Sequence, residues 1–381
     1  MSTSTYYEPK LPSGPSHSSM VMALRLRSGD IPDSGQHDSI RYMANMSLAE
    51  LARESYYWRH GNLSDMTTAS ELIRTEFSLS GGAMANVFDG WFGSVVRQAY
   101  AESEDKTAGL LWETEVENYM VTRIIRVIDN VLLLPRGHGR ANMQSLMAYV
   151  VEWKANEYAK VLAVSEMDLV DDVFHSIQQC AKCLGRGPKR LKEDAFFSLL
   201  LQNPTLPDDE QVFSEQHGNF MSGGSSALSN TSLATAISKI RSQTILTEDG
   251  VIHCEIAPRY LVVPPLLEDC ARQALRLQKL DNEKLDLQLI VTSRLSSIGV
   301  CDPLTGQLYT GTNSNWALFA DANDAPVFAV GFLKGNKEPK IRMFETGGPG
   351  APGMFGLEWD IHQSIAVGAV DYKGGVWSTG A

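Results

Sequence analysis

The hydrophobic pattern of the chain switches between a helical and an extended period in a readable order. From Ser47, "SLAELARESYYWRHG" spaces its apolar residues three and four apart, with Ser47 placed as N-cap, Glu50 completing a capping box and Gly61 as a stop. "TTASELIRTEF" and "VFDGWFGSVVRQAYA" carry the same period into a second and a third helix. Between about Glu117 and Ser165 the texture turns to β. "YMVTRIIRVIDNVLLLP" is rich in β-branched residues, "RGHGRANMQ" breaks it, and "AYVVEWKANEYAKVLAVS" alternates on the way back, which predicts a long hairpin. A lone two-stranded ribbon is marginal in water, so this one needs cover from another element or another molecule.

Helical spacing resumes at Asp168, where Leu169, Val170, Val173, Phe174 and Ile177 form one stripe that "LGRGP" is expected to end. Pro188 then suits the first turn of a new helix, "PKRLKEDAFFSLLLQN". Further on, "SNTSLATAISKIRSQ" reads as a capped helix, "HCEIAPRYLVVPP" as a strand and "PPLLEDCARQALRLQ" as a helix with Pro265 near its start. Strands are expected at "DLQLIVTSRL", "NWALFAD" and "VFAVGFL". After the Gly/Pro-rich loop "ETGGPGAPGMFG" come two last strands, "LEWDIHQSIAVG" and "AVDYKGGVW". The whole is an α+β chain without internal repeats. Residues 1–40, rich in Ser, Pro, Gly and His around one apolar patch from Met20 to Leu26, cannot form a core and are ordered only against something else.

Composition narrows the function classes. The 381 residues are 43% hydrophobic, enough for a real core in two or three structural units. The net charge of −12 is spread evenly, with 15 Lys+Arg against 19 Asp+Glu in residues 1–165, 5 against 10 in 166–215, and 13 against 16 in 216–381. A protein that binds DNA by neutralising phosphates concentrates its cations on one face, so contact with nucleic acid is expected to be weak and non-specific. Five scattered cysteines fit a reducing compartment rather than a disulfide scaffold. No secretory signal or bilayer-spanning run is readable, and the chain is expected to be soluble, without membrane contact, and made in the cytoplasm.

The candidate chemistry is thin. Cys180 and Cys183 in "CAKC", with His175 upstream, have metal or redox spacing, but a structural zinc site needs four ligands and no second pair exists; two small buried or half-buried residues are expected instead. "FSEQHGNFMSGGSSA", residues 213–227, puts Glu215, His217, Asn219 and several serines in one polar run, and a cytosolic hydrolase using the His217 region is one reading. "SGGSS" lacks the context of a nucleophile elbow and "TGGPGAPG" lacks the Lys-Ser/Thr of a phosphate loop. Lys182, Arg186, Lys189, Arg190 and Lys192 read as a solvated helix face. No catalytic, cofactor-binding or metal residue is assigned.

Several blocks, in order, resemble the major capsid proteins of tailed bacteriophages, of the Mu-like head subunit and prohead protease–capsid fusion type. They are "SLAELARE" then "ASELIR", "NPTLPDDEQVFSEQHGNF", "ALSNTSLATAISKIRSQ", "IAPRYLVVPPLLEDCARQAL", "NWALFAD" and "WDIHQSIAVGAVDYKGGVW", together spanning roughly residues 47–379. The resemblance implies a Hong Kong 97-type fold, with an N-terminal arm and helices at 1–85 and a peripheral domain at 86–219. Within that domain lie an extended loop at 117–165 and a spine helix at 188–203. An axial domain follows at 220–335, and return strands of the peripheral domain at 336–381.

The implied function is a non-enzymatic shell of hexamers and pentamers enclosing double-stranded DNA in the virion, assembled in the bacterial cytoplasm. Portal, scaffolding or decoration proteins are possible partners, no cofactor is implied, and an encapsulin-like compartment is the alternative. On this reading "EQHGN" is a connector between spine helix and axial domain. Arg136, Arg140, Glu152 and Lys154, on or near the extended loop, are expected to contact a neighbouring subunit. The loop tip "PRGHGRANMQSLMA" departs from the family's usual tip. No asparagine follows Asn336, so a lysine–asparagine crosslink from Lys154 or Lys160 is not expected. No protease domain or long helical scaffold segment is read in the chain, so scaffolding is expected to come from elsewhere or to have been removed already.

Overall fold

The computed structural model describes residues 9–61, 63, 68–127, 148–247, 250–281, 286–346 and 355–380. In chain order, five helices come first: α1 (His17–Arg27), α2 (Asp38–Ala44), α3 (Leu48–His60), α4 (Ala69–Glu76) and α5 (Met84–Glu102). Strands β1 (Leu111–Val116), β2 (Thr122–Val127), β3 (Ala148–Trp153) and β4 (Asn156–Ser165) follow, then α6 (Glu166–Val170) and the 29-residue α7 (Phe174–Gln202). After β5 (Phe220–Met221) come α8 (Asn230–Arg241), β6 (Thr244–Thr247), β7 (Gly250–His253), β8 (Pro258–Val263), α9 (Glu268–Asp281) and β9 (Gln288–Val291). The last strands are β10 (Val300–Cys301), β11 (Leu308–Tyr309), β12 (Trp316–Ala320), β13 (Phe328–Leu333), β14 (Lys340–Thr346), β15 (Gly356–Ala369) and β16 (Gly375–Ser378). Among the described residues no helix is long and apolar enough to cross a membrane.

The chain divides into two compact units. The first comprises residues 1–104, 158–189 and 338–363. Its helices start where the sequence says: Ser47 accepts from Glu50 N while the Glu50 carboxylate accepts from Ser47 N, Thr68 and Glu71 repeat the capping box, and Gly61 ends α3 at φ 78°. The core is aromatic. The Phe92 ring stacks on Trp359 at 4.4 Å, Trp91 stacks on Phe174 at 4.4 Å, and Phe88 fills between them, all fully buried. The N-terminal segment finds its cover here, since Met20, Ala23 and Leu24 of α1 are buried against this cluster and Leu11 joins it.

Helix α7 corrects the expected break. The helix runs unbroken from Phe174 with Pro188 inside it, so no new helix begins at residue 188. The glycines of "LGRGP" act as packing and relief positions. A Cβ on Gly185 would lie 2.5 Å from the Val96 carbonyl oxygen and 2.8 Å from Ala99 Cβ, so Gly185 lets α7 press against α5. Gly187 carries no Cβ to meet the ring of the following proline, which is the clash that normally drives the preceding residue out of helical geometry.

The second unit comprises residues 105–157, 190–337 and 364–381. Its five-stranded sheet has the order β5-β16-β12-β8-β9, and central β12 is buried on both faces. Trp316, Leu318 and Ala320 belong to the cluster that Leu233, Ile237 and Ile240 of α8 and Ala271 and Ala274 of α9 complete. Phe319 points the other way, into the rings of Phe196, Phe213 and Phe328. The two last strands do not return together as expected. The far half of β15 pairs with β13, whereas β16 joins β12 and β5. The backbone of Gly375 lies against the Phe319 ring where a Cβ would be 3.1 Å from it, which allows β16 to approach β12. Strand β1 runs parallel to β13 in the same unit.

Candidate functional site

The polar run at 213–227 is a hydrogen-bonded clasp. Asn203, just past the end of α7, donates from Nδ2 to the Phe213 carbonyl at 2.9 Å and accepts from Phe213 N at 2.8 Å, closing the acidic turn between them. Asn219 is fully buried; its Nδ2 donates to the carbonyls of Val212 (2.8 Å) and Tyr372 (3.1 Å), and its Oδ1 accepts from Ser214 N. Trp377 N donates to the Asn219 carbonyl, so the connector is sewn to the approach of β16 from both sides. Lys239 and Gln243, at the end of α8, donate to the carbonyls of Gly218 and His217. The serines serve the same end: Trp316 Nε1 and Ser378 Oγ both donate to the Ser226 carbonyl.

His217 is the centre of this clasp. Its side chain is 7% exposed, its ring lies on that of Tyr372, Nε2 stands 3.1 Å from Asp208 Oδ2, and Nδ1 stands 3.3 Å from the Val212 carbonyl oxygen. Both ring nitrogens therefore face acceptors belonging to the protein itself. A general base needs a nucleophile within reach of its ring nitrogen, and among the described residues these nitrogens face a carboxylate and a carbonyl oxygen instead.

Only part of the expected hairpin forms a ribbon, in the second unit; β4, the last stretch of the expected return strand, pairs with β15 instead. Strands β2 and β3 pair over six positions from Thr122↔Trp153 to Val127↔Ala148 and make a two-stranded sheet of their own. Arg123 and Glu152, directly opposed, form an ion pair of 2.8 Å with side chains 71% and 54% exposed. Lys154 is exposed just beyond. Arg136 and Arg140 lie outside the described residues. At the root, Tyr119 hydrogen-bonds Ser364 at 2.8 Å, while Met120 and Val121 stand in solvent. Trp153 is seated over bare backbone: a Cβ on Gly331 would lie 2.9 Å from its ring and one on Gly368 3.3 Å.

The remaining candidates resolve into structure. Cys180 and Cys183 are free and exposed rather than buried, because the inward face of α7 is taken by Phe174, Ile177 and Ala181. Among the described residues no cluster of His, Cys, Asp and Glu could hold a metal. The basic run is only partly solvated. Arg186 and Arg190 are not fully buried, but Lys192 is 7% exposed, bonded to Asp105 and 3.5 Å from Glu113. Burial pushes the Asp105 carboxyl up, but the Lys192 ammonium and the Thr107 donors outweigh it and hold the group below the usual 3.8. Alongside, Arg294 bridges Glu193 at 2.8 Å and Asp194 at 2.6 Å. The sequence alone does not point to Asp208, Tyr372, Arg123 or Asp105 as partners.

The phage capsid protein family matches residues 149–378. The chain belongs to that family and is a capsid subunit, an α+β chain whose role is structural. No curated protein matches it in sequence. Among solved structures, the chain is similar to the virus-like particle of Pyrococcus furiosus at 12% identity, covering 74% of this chain and 96% of that one with a TM-score of 0.43. It is likewise similar to the head of Helicobacter pylori bacteriophage KHP40, at 9% identity, 72% and 89% coverage and a TM-score of 0.45. For the mature capsid of bacteriophage PhiM1 the values are 11% identity, 71% and 85% coverage and a TM-score of 0.44.

Proposed function

We propose that copies of this chain close into hexamers and pentamers of an icosahedral head around double-stranded DNA, each laying its β2–β3 ribbon on a neighbouring subunit. Family membership carries this reading, and the ribbon supports it: two strands with no third partner among the described residues are a poor independent structure in water and a good one when laid on a second surface. Identical subunits meeting about rotation axes form a closed assembly, and many modest contacts sum to a stable one. Glu152 and Lys154 face that neighbour, and Arg136 and Arg140 belong to the same contact. The overall charge of −12 suits an inner wall that does not grip phosphate, so packaged DNA touches it weakly and without sequence preference. Assembly takes place in the bacterial cytoplasm, with portal, scaffolding or decoration proteins as accessory partners, and the subunit does no chemistry.

Negative-stain imaging of the purified chain, with and without nuclease, tests the reading. Closed shells, nuclease-protected DNA in heads from infected cells and no turnover of acyl substrates are expected. Protein cargo in place of DNA would make the shell an encapsulin-like compartment. A compact monomer at high concentration, or hydrolase activity lost in His217→Ala, would overturn the proposal.

A further inference from the structure

The ring of His217 meets an acceptor at each of its nitrogens. Nε2 stands 3.1 Å from Asp208 Oδ2, and Nδ1 stands 3.3 Å from the Val212 carbonyl oxygen. A neutral imidazole carries one N–H and one lone pair, so either tautomer would aim its lone pair at one of these two oxygens. Only the imidazolium donates at both ends. Among the described residues no donor bonds either ring nitrogen, and with a side chain 7% exposed the ring depends on protein partners.

The charges around the ring favour the same state. Asp208 touches the ring edge, and Asp209 and Glu210 follow it in the acidic turn. Tyr372, stacked on the imidazole, offers its π face to a positive charge. Two lysines come from the elements packed here, and both are engaged. Lys239, at the end of α8, donates to the Gly218 carbonyl at 2.8 Å, and Lys373, 4.6 Å from the centre of the Tyr372 ring, pairs with Asp371 at 3.2 Å. Glu215, on the connector itself, is exposed. The Lys373–Asp371 pair cancels, so the charge in direct contact with the ring, that of Asp208, weighs most.

We propose that His217 is held as an imidazolium in the folded subunit, and that its second proton is a pH-sensitive fastener of the connector. When that proton leaves, the ring keeps one contact and turns a lone pair on the other oxygen, so the clasp loosens at either Asp208 or Val212. An unfolded histidine releases the proton above about 6.5, whereas the folded ring keeps it to higher pH. The fastener's contribution is therefore complete below that ordinary value and is lost as pH rises through the folded one. The device belongs to the single subunit and operates whether or not shells form.

Two measurements on the free subunit test it. Nitrogen-15 spectra of histidine-labelled protein, with His217→Phe to assign the ring, are expected to show both His217 nitrogens protonated at about pH 7. Urea unfolding from about pH 6 to 9 is expected to show the wild-type folding constant falling relative to His217→Phe by up to about tenfold per pH unit above about 6.5, the slope of one proton. Asp208→Asn removes the charge at a partly exposed position and is expected to flatten the wild-type slope, which serves as the comparison should His217→Phe not fold. A single protonated nitrogen on His217 at about pH 7 would overturn the proposal. So would a wild-type profile that runs parallel to that of the comparison variant across the range.

Discussion

The imidazole of His217 lies flat on the ring of Tyr372, with centroids 3.7 Å apart and planes 2° from parallel. The pair joins the connector after α7 to the segment entering β16, while Asp208 and the Val212 carbonyl hold the ring's edge. His217→Ala removes the stack and leaves the Val212 carbonyl and Asp208 without this partner, so a loss of about 2–3 kcal/mol is expected. His217→Phe keeps the stack and is expected to cost less, about 1–2 kcal/mol. Urea denaturation of the free subunit checks the order. Equal losses would mean that the stack contributes nothing beyond the polar edge.

Two glycines in α7 are predicted to fail for different reasons. Gly185→Ala pushes a methyl group to 2.5 Å from the Val96 carbonyl oxygen and is expected to cost about 1–3 kcal/mol whatever residue 188 is. Gly187 has open space around it, with nothing within 4 Å of the position a Cβ would take, yet Gly187→Ala is expected to destabilise through the ring of Pro188. In a Pro188→Ala background the sign reverses, and the same change should stabilise by roughly 0.5–1 kcal/mol as an ordinary helical Gly→Ala. Thermal midpoints of the four-member cycle measure this, and additivity would sink it.

The Asp105–Lys192 pair sets an acid limit. A carboxyl held below its ordinary 3.8 contributes stability that is present above that value and is lost as pH falls through the lower, folded value. Wild type should therefore lose stability below about pH 4 more steeply than Asp105→Asn, whose midpoint is lower at neutral pH but flatter in acid. Parallel acid profiles of the two proteins would show that the pair carries no linkage.

The Arg123–Glu152 bridge should matter little within one subunit. Exposed pairs contribute about 0–1 kcal/mol, so Glu152→Lys is expected to shift the free subunit's urea midpoint hardly at all. If the ribbon lies on a neighbour, the same change lowers the yield of shells in imaging and sedimentation. An unchanged yield would remove Glu152 from the interface.

Local signals in the chain are legible and distant ones are not. Ser47 with Glu50, Gly61, and the apolar runs of β2, β3, β8 and β12 can be read because each is decided by neighbours in sequence. The connector role of "EQHGN" is readable as turn chemistry, but Asp208 and Tyr372 are not, since only the fold brings them to His217. Strand β1, "LWETEV", escapes notice because its outward glutamates mask a strand with only its ends buried. Strand β14, "KIRMFET", hides in the same way, with exposed Lys340 and Arg342 alternating with half-buried Ile341 and Met343. The glycines of "LGRGP" imitate a helix stop, as nothing local distinguishes a glycine that ends a helix from one that admits a neighbouring helix.

Trp153 resting over Gly331 and Gly368 makes the ribbon a cantilever, with the indole as its built-in end. Six paired positions reach about 20 Å from that mounting, so a tilt of about 5° at the root displaces the far end by about 2 Å. The aim of the ribbon is thus calibrated by two absent methyl groups. Adding one at Gly331 would leave every residue of the arm unaltered and still turn it at its root.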